Sequence, residues 1–116
     1  VAGDYIAYLF ATLPNISKVG SYTGNGTSQT IDCGFSTGAK FIIIKRTDLA
    51  GDWVLADSTR GITTGNVPYL KLNTTDAEDT DEDCFDPSTL GFIVNQTVGA
   101  NLNVNGATYV YYSISN

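Results

Sequence analysis

Residues Lys40–Gly61 read KFIIIKRTDLAGDWVLADSTRG, and the alternation within them decides the fold class. In a β-strand, successive side chains point to opposite faces. Phe41, Ile43 and Lys45 therefore share one face, and Ile42, Ile44 and Arg46 the other. Both faces stay apolar until the end of the run, which is the pattern of a central strand covered on two sides. Asp52–Ala56 repeats it, with Trp53 and Leu55 opposite Val54 and Ala56. Between the two runs, DLAGD (Asp48–Asp52) predicts a hairpin turn in which Gly51 takes a left-handed conformation.

Working outward, further short runs read as strands: Tyr5–Ala11, Val19–Thr23, Gln29–Cys33, Tyr69–Leu72, Phe92–Val94 and Thr108–Ser115, with a short addition at Leu102–Val104. No segment keeps helical spacing over ten residues. TGNGTS (Thr23–Ser28) and NVNGAT (Asn103–Thr108) carry Asn-Gly turn signals. Short strands separated by Gly and Asn predict an all-β, antiparallel β-sandwich of jelly-roll type.

The chain's two ends match. With Tyr5 set over Tyr109, Ile6, Tyr8 and Phe10 meet Val110, Tyr112 and Ile114. Both stretches are apolar or aromatic on both faces, and a sandwich of this length has little material to cover both. The expectation is a homo-oligomer with Tyr8, Tyr111 or Tyr112 at or near the contacts. The chain begins with valine and contains no Met. It therefore reads as a processed chain or a piece of a longer polypeptide.

Composition narrows the function. The 116 residues suit one domain, and 42% of them are hydrophobic. The net charge is −6 with only six Lys and Arg. No basic cluster marks a nucleic-acid groove, and no apolar run approaches a membrane span. His is absent, which removes the commonest general base and metal ligand. Cys33 and Cys84 read as free thiols, with a single bridge as the other option.

Three stretches invite chemistry. Seven of the twelve acids lie between Asp76 and Asp86. Asp79, Asp81 and Asp83 alternate as calcium ligands would. The favoured reading is a solvated loop, because neither the glycine nor the flanking helices of a helix–loop–helix calcium site are present. Any two of these acids can be nominated as a glycosidase pair, so none is singled out. Trp53, Asp57 and Arg60 could form a sugar-binding set, with a flat ring beside two polar groups. The favoured alternative puts Trp53 in the core and pairs Arg60 with Asp57. Asn15, Asn25, Asn73 and Asn95 begin Asn-x-Ser/Thr sequences, which arise easily in a chain this rich in those residues.

Taken in order, YIAYLFA, GSYTGNGTSQTIDCGF, FIIIKRTDLAGDWVLADSTRG, PYLKLNTTDAE, GFIV and NVNGATYVYYSIS resemble an all-β domain recurring in bacteriophage tail fibres and other virion proteins, notably of phages of marine and aquatic bacteria. The resemblance spans roughly Asp4 to Ser115. It implies that Val1–Ala11 closes a preceding copy, so that residues 1–17 are that strand plus a linker and residues 18–116 the sandwich. It also implies a virion structural protein, assembled as a trimer with other virion proteins and serving attachment to a host-surface glycan. It carries no catalytic set and no cofactor. The alternatives are a purely architectural head-decoration or collar protein and, more remotely, a polysaccharide-degrading enzyme. The dense acidic loop and Cys84 depart from the pattern.

Overall fold

The computed structural model describes residues 3–116; Val1 and Ala2, part of the expected first strand, lie outside them. Among the described residues eight strands form: β1 (Ser17–Thr23), β2 (Ser28–Asp32), β3 (Ala39–Arg46), β4 (Trp53–Asp57), β5 (Leu70–Lys71), β6 (Phe85–Ser88), β7 (Gly91–Asn95) and β8 (Thr108–Ser115). Five build one sheet in the order β1-β8-β3-β4-β5, and three build a second in the order β2-β7-β6. Every pairing is antiparallel. The two sheets pack together, so the fold is the all-β sandwich expected from the alternation.

β3 sits between β8 and β4, the central place its two apolar faces require. Its β-branched run Ile42–Ile44 suits a pleated strand and disfavours a helix. Ile42 and Ile44 are fully buried in one core with Val54 and Ala56 of β4 and Phe92 and Val94 of β7. One aromatic contact bridges the sheets: Tyr111 of β8 meets Phe92 of β7 edge-on at 5.6 Å. Within each sheet, Phe92 meets Phe85 at 6.0 Å and Tyr22 stacks on Tyr109 at 4.9 Å.

One end of the sandwich is closed by amides. Asn103 is fully buried. Its Oδ1 accepts from the Asn25 backbone N–H at 2.9 Å and from Gln29 Nε2 at 2.6 Å. Its Nδ2 donates to Asn25 Oδ1 at 2.8 Å and to the Val94 carbonyl at 3.3 Å. A buried amide satisfied on both ends fixes its neighbours without a desolvation penalty. Gly24 packs so tightly here that a Cβ would fall 2.1 Å from the Val104 carbonyl oxygen.

Several expectations are corrected. The Asn-Gly turn at Thr23–Ser28 is a corner that carries the chain from one sheet to the other. Its Gly26 does take positive φ, at 79°. Gly51 is not left-handed. The β3–β4 hairpin is instead held by Asp48, whose carboxylate takes two bonds from Arg46, at 2.9 and 3.0 Å, and one from the Thr108 N–H at 3.2 Å. Leu102–Val104 forms no strand: Leu102 and Asn103 are buried in irregular backbone that leads into the turn closed by the Ala107 N–H on the Val104 carbonyl. The acidic stretch is no simple loop: Cys84 and Phe85 enter the core and Phe85–Ser88 becomes β6. Pro87 is tolerated there because β6 is an edge strand.

Tyr5–Ala11 joins neither sheet. The chain does turn back at Leu13–Ser17 toward β1. There the Val19 N–H donates to the Thr12 hydroxyl at 3.0 Å, where a continuing ladder would present a carbonyl. The Ala11 carbonyl is taken by the Ser17 hydroxyl at 2.7 Å. With side chains occupying these places, pairing stops and the segment leaves the sheet edge.

Phe92→Ala is expected to lower stability by roughly 3–5 kcal/mol, because its ring joins both sheets. Trp53→Ala, on the outside of β4, is expected to cost about 1 kcal/mol or less. Denaturant unfolding of the two variants checks the contrast. Equal losses would mean that Trp53 is core after all.

Candidate functional site

The parity that buries Ile42 and Ile44 turns the alternate residues outward. They line up across the whole five-stranded sheet. Val19, Tyr112, Ile43, Leu55 and Leu70 stand directly opposite one another on successive strands. A second row holds Ser21, Val110, Lys45 and Trp53, and a third holds Ile114, Phe41 and Asp57. Only Lys45 and Asp57 in these rows are charged. The leading segment borders the face: Tyr8, Leu9 and Phe10 form one side of an apolar groove of about 550 Å³ floored by Phe41, Ile43 and Tyr112. The Phe10 and Tyr112 ring centres are 4.5 Å apart.

This corrects the position of Trp53. Val54 and Ala56 face the core, so Trp53 faces out and is 42% exposed. It is not a core residue. Asp57 and Arg60 do pair with each other, as expected. The Arg60 backbone N–H donates to Asp57 Oδ1 at 2.9 Å, its Nη1 donates to Asp57 Oδ2, and its Nε donates to Glu78 at 2.6 Å. Burial opposes ionisation of Asp57, but the Arg60 N–H and guanidinium outweigh it and hold its pKa below the usual range. The pair pins the turn that follows β4, where the Gly61 N–H reaches the Asp57 carbonyl.

Tyr8 and Tyr112 lie on the outer face, but Tyr111 does not. It is buried between the sheets against Phe92, which removes it from any contact between subunits.

The acidic stretch is occupied by structural work. Asp79 bridges to Tyr69 through both backbone bonds, and its side chain accepts the Asp81 N–H at 3.0 Å. Asp83 accepts from Asn95 at 3.1 Å. Glu82, which the sequence did not single out, accepts from the Gly99 and Ala100 N–H groups, at 2.7 and 2.9 Å, and from the Thr97 hydroxyl. Asp79, Asp81 and Asp83 are not gathered around a common point. Among the described residues no three His, Cys, Asp or Glu side chains are placed to hold a metal ion.

The profile of the Domain of unknown function (DUF7483) family matches residues 1–116, through the leading segment and both sheets. The chain belongs to the DUF7483 family. Neither the curated proteins nor the solved structures contain a match to it.

In this DUF7483 domain both cysteines are free and buried. Burial pushes the Cys33 thiol up to about 11 and the Cys84 thiol up to about 12. A thiol reagent at pH 8 is therefore expected to find almost no reactive cysteine in the folded chain and two after denaturation. Rapid labelling of the native protein would contradict the burial.

Acid should act through the ion pairs. Hydrogen bonding to Arg46 holds the Asp48 carboxyl well below the carboxylate range, as Arg60 does less strongly for Asp57. For depressed folded pKa values the contribution is complete above the unfolded value of about 3.9 and is lost as pH falls below it. Melting temperature should drop between about pH 4 and pH 2, and Asp48→Asn should flatten that drop. An unchanged profile in Asp48→Asn would count against its ion pair.

Proposed function

We propose that this domain is a structural module of a bacteriophage virion, a tail-fibre or other appendage domain that assembles as a homotrimer. In this reading it contacts other virion proteins and serves attachment to a host-surface glycan. It acts by binding rather than catalysis, without a cofactor. Adhesion runs through loops at one end of the sandwich, because loops on a rigid scaffold carry recognition. The end closed by Asn25 and Asn103 suits this, with its loops tied to one buried amide.

The observation that carries the reading is the half-covered apolar row Val19–Tyr112–Ile43–Leu55–Leu70 on the outer face, over which no second sheet packs among the described residues. Soluble monomers seldom leave a contiguous apolar sheet face in water, and symmetric association is the usual cover. The resemblance of the sequence to phage fibre domains supplies the setting. Repetition of weak sites on one particle would supply adhesive strength.

Sedimentation equilibrium of the purified chain at micromolar concentration is expected to give three times the chain mass. A glycan array probed with that oligomer is expected to give binding that Asn25→Ala in the loop end weakens. A stable monomer would remove the assembly reading. A trimer that binds no glycan but does bind virion proteins would replace attachment with a purely architectural role.

A further inference from the structure

We propose that the leading segment Tyr5–Phe10 of one copy lies across the outer sheet face of a second copy, so that the oligomer is built by segment exchange. This rests on the assembly reading and names the surfaces that make the contact. Two unsatisfied apolar surfaces exist on the same chain. One is the five-residue row through Ile43. The other is the leading segment, where Tyr8 is 80% exposed, Leu9 93% and Phe10 60%. Gly3–Phe10 makes no hydrogen bond to any other described residue, so its backbone is free to be re-sited.

The contact between Phe10 and Tyr112 shows that the two surfaces fit each other chemically, ring against ring at 4.5 Å. Within one copy the fit is incomplete. The segment stacks on the face through Phe10, with Tyr8 and Leu9 only along the rim of the groove, and leaves Tyr5, Ile6, Tyr8 and Leu9 largely exposed. An apolar segment with side chains on both sides cannot be covered by one face of one sheet. Between copies, each segment can seat on a neighbour's row while its other side packs on the rows of its own chain.

Area and charge agree. Burying the five large side chains of the segment against an equal area of sheet removes on the order of 1,200–1,500 Å², which reaches the size of a specific interface. The chain carries a net charge of −6, but the rows hold one Lys and one Asp, and Tyr5–Phe10 holds no charge, with Asp4 next to it. Repulsion between copies is therefore not concentrated at this contact. A segment of one copy on the face of the next closes into a ring such as a trimer when the exchange runs head-to-tail, and into a two-fold dimer when it is reciprocal.

The test mixes two full-length preparations. One is unlabelled and carries a photo-crosslinking amino acid in place of Leu9; the other is uniformly labelled with heavy nitrogen. After mixing, exchange and illumination, mass spectrometry is expected to find position 9 of light chains joined to heavy peptides containing Ile43 or Tyr112. Crosslinks confined to single chains would overturn the proposal and make the segment a cover for its own sheet. Leu9→Asp changes a residue that supports no core, so the β-sheet circular dichroism of the folded chain should hold while self-association weakens at least about tenfold. The single Trp53 reports the same event, with a blue-shifted emission on assembly that Leu9→Asp abolishes. An oligomer that persists unchanged in Leu9→Asp, with no crosslink between copies, would overturn segment exchange and leave assembly standing. A monomer in the unmodified chain would overturn both.

Discussion

The structure depends on one constraint: β3 is apolar on both faces. A strand with Ile42 and Ile44 on one side and Phe41 and Ile43 on the other cannot lie at the surface of a sheet or along its edge. It must have a neighbour on each edge and a layer on each face. β8 and β4 supply the edges. The three-stranded sheet supplies one layer, and its aromatic side chains fill the core. Burying an isoleucine fully is worth roughly 1.5–3 kcal/mol, so the two inward isoleucines alone outweigh any single polar contact in the molecule. On the other face Phe41 and Ile43 stay half-buried, bordered by Tyr8, Leu9 and Phe10 of the leading segment, and no second sheet packs there among the described residues.

Polar groups take the complementary task of fixing loops. The chain has few charges for its size and many amides and hydroxyls. The amides are used in networks, as where Asn103 joins the Thr23–Ser28 corner to β7. The carboxylates are used as acceptors for loop N–H groups, as where Glu82 holds the Thr97–Ala100 turn. Within the acid-rich segment, Glu82 in this way serves as a loop anchor.

These two features fit together in the proposed role. A rigid sandwich with one end tied by amides gives loops a fixed geometry, and an apolar sheet face gives copies a reason to associate. Association costs translational freedom and side-chain entropy, and a broad apolar face is a surface able to offset them. Multivalent display would then act through the loop end, away from the face consumed by assembly.

Much of this was legible in the sequence because alternation is local. The period of two in Lys40–Ala56 determined the strands, the central place of β3 and the existence of a second apolar face. Asp57 and Arg60 lie near enough along the chain for their pairing to be read directly. The outward turn of Trp53 was not read, although its parity with Lys45 contains it, because a large aromatic ring suggests burial. β6 was hidden by the acids before it and by Pro87, which only an edge position makes acceptable. Alternation says that two faces exist, not which one meets the other sheet. That choice places Tyr111 inside and Tyr112 outside, and it is made by contacts between residues far apart in the chain. The same holds for Tyr5–Ala11. Its sequence determined that it is apolar on both sides, but the side chains of Thr12 and Ser17 at the edge of β1 decided that it leaves the sheet.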